Sequence, residues 1–159
     1  MFWIIIPIIV IAIDQLTKYI VVKNFALSEM IPVIDDFFYL TLHKNKGGAW
    51  GILQNSRLVF LILIPLVSAF LVYYIIKNKN RFLRFTLALI LGGAIGNYID
   101  RVAEGSVTDF LLFYIGSYPF PVFNVADIAV TCGTVLLAVY VIFIYKEPPK
   151  VKQDEANDK

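Results

Sequence analysis

The stretch PVFNVADIAVTCGTVLLAVYVIFIY, residues 121–145, is an apolar run that carries a carboxylate, Asp127, near its beginning. An α-helix rises about 1.5 Å per residue, so roughly 20 apolar residues cross a hydrocarbon core of about 30 Å. Four segments of the chain have that length and apolar character: residues 2–22, 58–76, 82–99 and 123–145. The sequence therefore predicts four transmembrane helices.

The composition agrees with this prediction. Of the 159 residues, 59% are hydrophobic and 16% are charged, and the mean hydropathy is +0.75. A soluble domain of this size would expose large apolar patches. The first apolar run lacks a basic start, and Asp14 and Lys18 interrupt it, so it is predicted to be a retained helix and not a cleaved signal peptide.

The basic residues predict how the helices are oriented. The loop KNKNRFLR, residues 77–84, holds four basic residues and no acid, which is typical of a cytoplasmic loop. Both termini are then cytoplasmic, and residues 23–57 and 102–122 lie on the outer face. Residues 1–145 are predicted to form a single domain, followed by a disordered cytoplasmic tail at 146–159. The net charge of +2 gives no indication of a nucleic-acid partner.

The first outer segment contains a β pattern. Apolar and polar or amphipathic residues alternate over residues 38–43, which predicts a strand with one apolar face. We expect a small β element on the membrane surface, with Phe37 and Trp50 in the interface. The fold class is thus an all-α membrane protein with four transmembrane helices and a small outer-face β element.

The chain has few side chains suited to metal binding. His43 is the only histidine and Cys132 is the only cysteine. A catalytic zinc site usually takes three protein ligands rich in histidine or cysteine. A zinc site is therefore not predicted. We expect His43 to be a surface residue and Cys132 to pack as a small apolar residue.

Polar residues inside membrane helices need a partner or a purpose, because each costs about 2.5–3.5 kcal/mol at a helix centre. Asp14 and Lys18 lie one turn apart on the first helix. They either form an ion pair at the outer end of that helix, or they have a structural or substrate-facing role inside the bundle.

The end of the third helix combines small and polar residues. Gly92 and Gly96 would let another helix approach closely. Asn97, Asp100 and Arg101 follow on one face, at the outer boundary. Arg101 either anchors the helix end through a carboxylate or a lipid phosphate, or takes part in a site.

Two further carboxyl groups lie on the same predicted side. Asp109 is followed by five apolar or aromatic residues, and Asp127 lies three residues after Asn124, as in a helix capping box. Capping alone accounts for Asp127, but it does not account for Asp109. Two such carboxyls suggest a dyad that shares a proton and activates water. Spacing does not exclude Asp100 as a member of this dyad.

Two other function classes remain open. A transporter would use intramembrane carboxylates as proton relays, but its usual sign is inverted repeats with charges near the midplane, whereas these acids gather at the outer ends. In a membrane-anchored assembly factor without catalysis, Asp109 and Asp127 would be caps and anchors only.

Five ordered motifs resemble those of the bacterial lipoprotein signal peptidases. They are DQLTK at 14–18, NKGGAWG at 45–51, GGAIGNYIDR at 92–101, VTDF at 107–110 and FNVAD at 123–127. The resemblance extends from the first helix to the fourth.

The resemblance implies an aspartic endopeptidase of the bacterial cytoplasmic membrane, with its site near the outer face. Such an enzyme removes the signal peptide from diacylglyceryl-modified prolipoproteins by cutting before the lipidated cysteine. The family's catalytic pair maps onto Asp109 and Asp127. Its supporting residues map onto Asp14, Lys18, Asn45, Gly47, Asn97, Asp100, Arg101 and Asn124. The mechanism that the resemblance implies requires no metal and no organic cofactor. The expected partners are prolipoprotein substrates and membrane lipids, and the expected oligomeric state is a monomer. We further predict that Asp127 is the ionised base while Asp109 holds the proton.

Overall fold

A computed structural model describes residues 2–48 and 52–145 of the chain. Within these residues, four helices are long and apolar enough to cross a membrane. They are α1 (Phe2–Asn24), α2 (Arg57–Lys77), α3 (Arg81–Ala103) and α4 (Val125–Val139), and a short π-helical segment, Tyr140–Ile144, extends the last. The prediction of four helices is confirmed. Because α1 ends later and α2 begins earlier than predicted, the first connecting segment, 25–56, is shorter than 23–57. The second segment, 104–124, is as long as predicted but lies two residues further along the chain than 102–122.

Helix α3 is the centre of the bundle, since it packs against α1, α2 and α4. The predicted close approach at Gly92 is found against α1: a Cβ there would lie 2.8 Å from Cβ of Val10. Gly93 faces α4, and a Cβ on it would overlap the backbone oxygen of Ala126. Only a residue without a side chain lets α3 approach both neighbours this closely.

The extramembrane segments form one antiparallel sheet. Its strands are β1 (Met30–Ile34), β2 (Phe38–Asn45), β3 (Val107–Ile115) and β4 (Tyr118–Pro119), in the order β1-β2-β3-β4. The predicted alternation at 38–43 lies within β2, so the β element is confirmed. The other three strands were not predicted from the sequence.

The sheet is fastened to one end of the helix bundle. Val21 of α1 packs with Leu42 of β2 and Phe110 of β3 in a buried apolar cluster. Leu111 of β3 pairs with Phe123, just before α4. These contacts hold β3 beside the C-terminal ends of α1 and α3 and the first turn of α4.

Two predictions fall on residues that the structure does not describe. Trp50 and the tail 146–159 lie outside the described residues. Phe37, the other predicted interface residue, is exposed at the β1–β2 connection and packs edge-on against Phe113.

Candidate active site

Asp109 is a buried carboxyl group in β3, with only 1% of its surface exposed. Its Oδ2 accepts a hydrogen bond from Nδ2 of Asn45 at 3.0 Å, and its Oδ1 accepts one from Nδ2 of Asn124 at 2.6 Å. Burial, together with the nearby charge of Asp127, raises the pKa of Asp109 to about 7. Asp109 can therefore hold a proton near neutral pH.

Asp127 occupies the first turn of α4. Its backbone N–H donates to Oδ1 of Asn124 at 2.9 Å, and its Oδ2 accepts from the backbone N–H of Asn124 at 3.2 Å. The predicted capping box is therefore present. The remaining oxygen, Oδ1, accepts from Nδ2 of Asn97 at 2.7 Å. Asp127 is thus fixed by α4 on one side and by α3 on the other.

Asn124 joins the two carboxyl groups. Its side chain is fully buried; the oxygen caps α4, while Nδ2 donates to Asp109 and, at 3.1 Å, to Oδ1 of Asn97. One amide therefore sets both the start of α4 and the position of Asp109 relative to Asp127.

Both carboxyl groups line one cavity of about 690 Å³. This volume lies within the range of ligand-binding clefts. The sheet and α3 contribute polar side chains, among them Asn45, Asn97 and Arg101, while α4 contributes mainly apolar or small ones, among them Ile128 and Val130. Cys132 also lines the cavity and is exposed, so the expectation that it is packed is wrong.

Arg101 holds the segment that follows β2. Its guanidinium donates to the backbone oxygens of Asn97, at 3.1 Å, and Gly47, at 2.8 Å. It also lies over the ring of Phe60, with 4.4 Å between Cζ and the ring centroid. Gly47 is tied down again, because its N–H donates to Oδ1 of Asn45. In the described part of the chain, Arg101 forms no ion pair with a carboxylate, so the predicted carboxylate clamp is not found.

Asp14 and Lys18 lie inside the bundle. Nζ of Lys18 is 2.8 Å from Oδ2 of Asp14 and 3.0 Å from Oδ2 of Asp100, and it donates to Oδ1 of Asn97 at 2.9 Å. Asp14 is fully buried, and Oδ1 of its carboxylate accepts from the backbone N–H of Ala126 in α4. The pair forms the ion pair of the first alternative, but it does so buried in the bundle interior, as in the second.

Asp100 belongs to this buried network and does not line the cavity. Besides Lys18, its oxygens accept from the backbone N–H of Thr108 and from Nε2 of Gln15. Sequence analysis missed Gln15, which also donates to the backbone oxygen of Gly96. The signal was available, since a glutamine in a membrane helix requires a partner.

The structure brings all ten predicted site residues into one connected set. Asp109, Asp127, Asn45, Asn97 and Arg101 line the cavity, and the other five are joined to them by hydrogen bonds or ion pairs: Asp14, Lys18, Gly47, Asp100 and Asn124. Within residues 2–48 and 52–145, no group of three His, Cys, Asp or Glu side chains is placed to hold a metal ion.

Known proteins resemble this chain in sequence and in structure. The family model described as signal peptidase (SPase) II matches residues 6–143. A lipoprotein signal peptidase of Bacillus pumilus (strain SAFR-032) is 47% identical over 144 residues, which cover 89% of this chain and 93% of the relative.

Two solved structures of a bacterial membrane enzyme have the same fold. One has a TM-score of 0.82 at 36% identity and covers 93% of this chain and 94% of its own. The other has a TM-score of 0.81 at 37% identity and covers 90% and 94%. Because the family model and the Bacillus relative each match most of the chain, it belongs to the signal peptidase II family, membrane peptidases that remove the signal peptide from prolipoproteins.

Proposed function

We propose that Asp109 and Asp127 are the catalytic pair of this peptidase, and that it cuts a prolipoprotein immediately before its diacylglyceryl-modified cysteine. One observation carries the assignment: the two carboxyl groups line the same cavity, and both accept hydrogen bonds from Asn124, Asp109 from its side-chain amide and Asp127 from its backbone N–H. We propose that the unit that does this is the single domain of residues 1–145 and that it acts as a monomer; a site that is complete within one chain is compatible with this.

The reaction needs one ionised and one protonated carboxyl. Asp127 takes a proton from water while Asp109 donates its proton to the scissile carbonyl oxygen, which gives a tetrahedral diol without an acyl-enzyme. Asp109 then recovers a proton from the diol, and Asp127 passes its proton to the leaving nitrogen as the carbon–nitrogen bond breaks. The pair returns to its starting state.

The surrounding side-chain amides fix the positions of the two carboxyl groups. Asn97 donates to Asp127 and Asn45 donates to Asp109. Lys18 donates to Oδ1 of Asn97, and this bond directs the other end of the amide, Nδ2, toward Asp127. Asp14 and Asp100 balance the charge of Lys18. We assign these residues to positioning.

The lipid part of the substrate fits the apolar side of the cavity. Ile128 and Val130 line it from α4, on a helix long and apolar enough to cross a membrane. We propose that the signal helix and the diacylglyceryl chains enter along α4 from the bilayer. Membrane lipids cover the exposed apolar faces of the helices, such as Ile62 and Leu66 of α2.

Cleavage by the purified chain tests this function. The chain, in lipid bicelles, is incubated with a diacylglyceryl-modified precursor and with the same precursor without the lipid. We expect mass spectrometry to find the cut immediately before the modified cysteine, and none in the unmodified precursor. A transporter or an assembly factor would leave both precursors intact.

We propose that the chain lies in the cytoplasmic membrane with both termini inside and the site at the outer face. The basic loop at 77–84 supports this orientation. With Cys132 replaced by serine, a cysteine at Ser117 should react with an impermeant thiol reagent in intact cells, and one at Asn78 should react only after lysis. Labelling of position 78 from outside would invert the orientation.

The pH dependence of cleavage should follow Asp109. Its pKa is raised to about 7, so the carboxyl is protonated below that pH and loses its proton above it. Because the mechanism requires that proton, kcat/KM should fall by about tenfold per unit at pH above about 7. The measurement is kcat/KM between about pH 5.5 and 9. A profile that rises through this range would contradict the assignment of Asp109 as the acid.

A further inference from the structure

His43 lies beside the proposed catalytic pair, although the sequence suggested only a surface residue. It is paired with Asp109 across β2 and β3. Asn45, two residues further along β2, is on the same face of the sheet and donates to Asp109. The imidazole is exposed and lines the same cavity as both carboxyl groups.

The imidazole is free to bind a ligand. Among residues 2–48 and 52–145, no side chain or backbone group forms a hydrogen bond or ion pair with the ring of His43. A neutral imidazole offers one N–H donor and one nitrogen acceptor. The hydrogen bonds to the carboxyl of Asp109 come from Asn45 and Asn124, so His43 is not part of the proton-transfer pair.

The spacing of the strands places His43 close to the scissile bond. Directly opposite residues in antiparallel strands have Cβ atoms about 4.5–5.5 Å apart. An extended peptide advances about 3.3 Å per residue. With the scissile carbonyl at Asp109, His43 is therefore one or two residues away along the bound chain.

The lining of the cavity favours one direction for the bound substrate chain. The apolar residues Ile128 and Val130 come from α4, the side of Asp127, whereas strand β2 contributes only the polar residues His43 and Asn45 to the lining. The signal helix is apolar and fits the α4 side. The chain that follows the lipidated cysteine then leaves along the sheet, past His43.

We propose that His43 is a specificity-determining residue, whose imidazole hydrogen-bonds one of the two peptide bonds that follow the lipidated cysteine. This inference rests on the proposed function and extends it to the mature side of the substrate. It selects for a peptide bond over an ester at that position.

Substrates with single ester bonds test the proposal. An ester in place of a peptide bond removes the N–H and weakens the carbonyl acceptor, so it disrupts either kind of hydrogen bond. The full-length chain and its His43→Leu and His43→Gln variants are assayed on the normal lipopeptide and on two versions, each with an ester at one of the two bonds. Lys46→Leu is the matched control, because Lys46 is exposed nearby and does not line the cavity.

We expect His43→Leu to lower kcat/KM about three- to tenfold on the normal peptide, the range for one hydrogen bond, chiefly by raising KM. One of the two esters should lower kcat/KM of the parent by a similar factor and leave His43→Leu unaffected, while His43→Gln should recover part of the loss. The proposal is wrong if kcat/KM of His43→Leu on the normal peptide equals that of Lys46→Leu. It is also wrong if both esters lower kcat/KM of His43→Leu as much as they lower that of the parent. A parent that cuts no lipopeptide would instead refute the proposed function.

Discussion

Replacing Asp109 or Asp127 with asparagine is expected to lower kcat by on the order of 10²–10⁴-fold, the usual contribution of a general acid or base. Asparagine keeps the shape of the side chain, but it neither holds nor accepts a proton in this reaction. Both carboxyls lie in the wall of the cavity and are anchored by neighbouring amides. We therefore expect both variants to insert and fold. The measurement is single-turnover cleavage of a diacylglyceryl-modified precursor, with thermal unfolding recorded in the same bicelles.

Two further variants make this experiment specific. Asp36→Asn removes an exposed carboxyl at a left-handed turn, a backbone conformation that asparagine also adopts, and it should leave kcat unchanged. Asp100→Asn alters the buried network, so it should reduce thermal stability more than chemistry. Near-normal turnover by either variant of the proposed pair would refute the dyad.

Lys18→Met should produce the largest loss of stability. The ammonium contacts Asp14, Asp100 and Asn97, and it is only 4% exposed. Methionine has a similar length and no charge, so two buried carboxylates lose their counter-charge. Breaking a buried ion pair typically costs about 3–5 kcal/mol, which for a chain of this size corresponds to a fall in Tm of about 6–20 °C. The same change removes the hydrogen bond from Lys18 that orients Asn97 toward Asp127, so cleavage should also slow.

Lys44→Met is the control for this substitution. Lys44 pairs with Glu104, but the two side chains are 26% and 47% exposed, and exposed pairs contribute about 0–1 kcal/mol. Its Tm should therefore stay near that of the parent. Adding Asp100→Asn to Lys18→Met should recover part of the loss, because it removes one of the unpaired charges. An unchanged Tm for Lys18→Met would mean that the network does not stabilise the bundle.

The helices could be predicted because their signal is local. Length and apolar character along residues 58–76 are enough to define α2, and Asn124 with Asp127 marks the beginning of α4 three residues apart. All ten predicted site residues lie within the five sequence motifs. These features depend on neighbours in the chain.

The rest of the site depends on contacts between distant segments. Strand β3 lacks the alternation of a half-buried strand, because residues 107–110 are all buried. It is a strand because it pairs with β2, whose residues lie 62 to 75 positions earlier in the sequence. That pairing separates Asp109, which faces the cavity, from Asp100, which faces Lys18. The sequence spacing did not exclude Asp100 from the catalytic pair, because spacing alone does not show in which direction a carboxyl side chain points.

The proposed catalytic pair is divided between two kinds of structure: Asp109 comes from the sheet and Asp127 from a membrane helix. The two carboxyl groups therefore stay together only while the sheet remains packed against the helix bundle. That packing depends on Asn124, on the hydrogen bond from the backbone N–H of Thr108 to Asp100, and on the apolar contacts of Phe110. A detergent that loosened the sheet would separate the carboxyls and leave the four helices intact. For this protein, helical content measured by circular dichroism is a poor guide to the active fraction of a preparation.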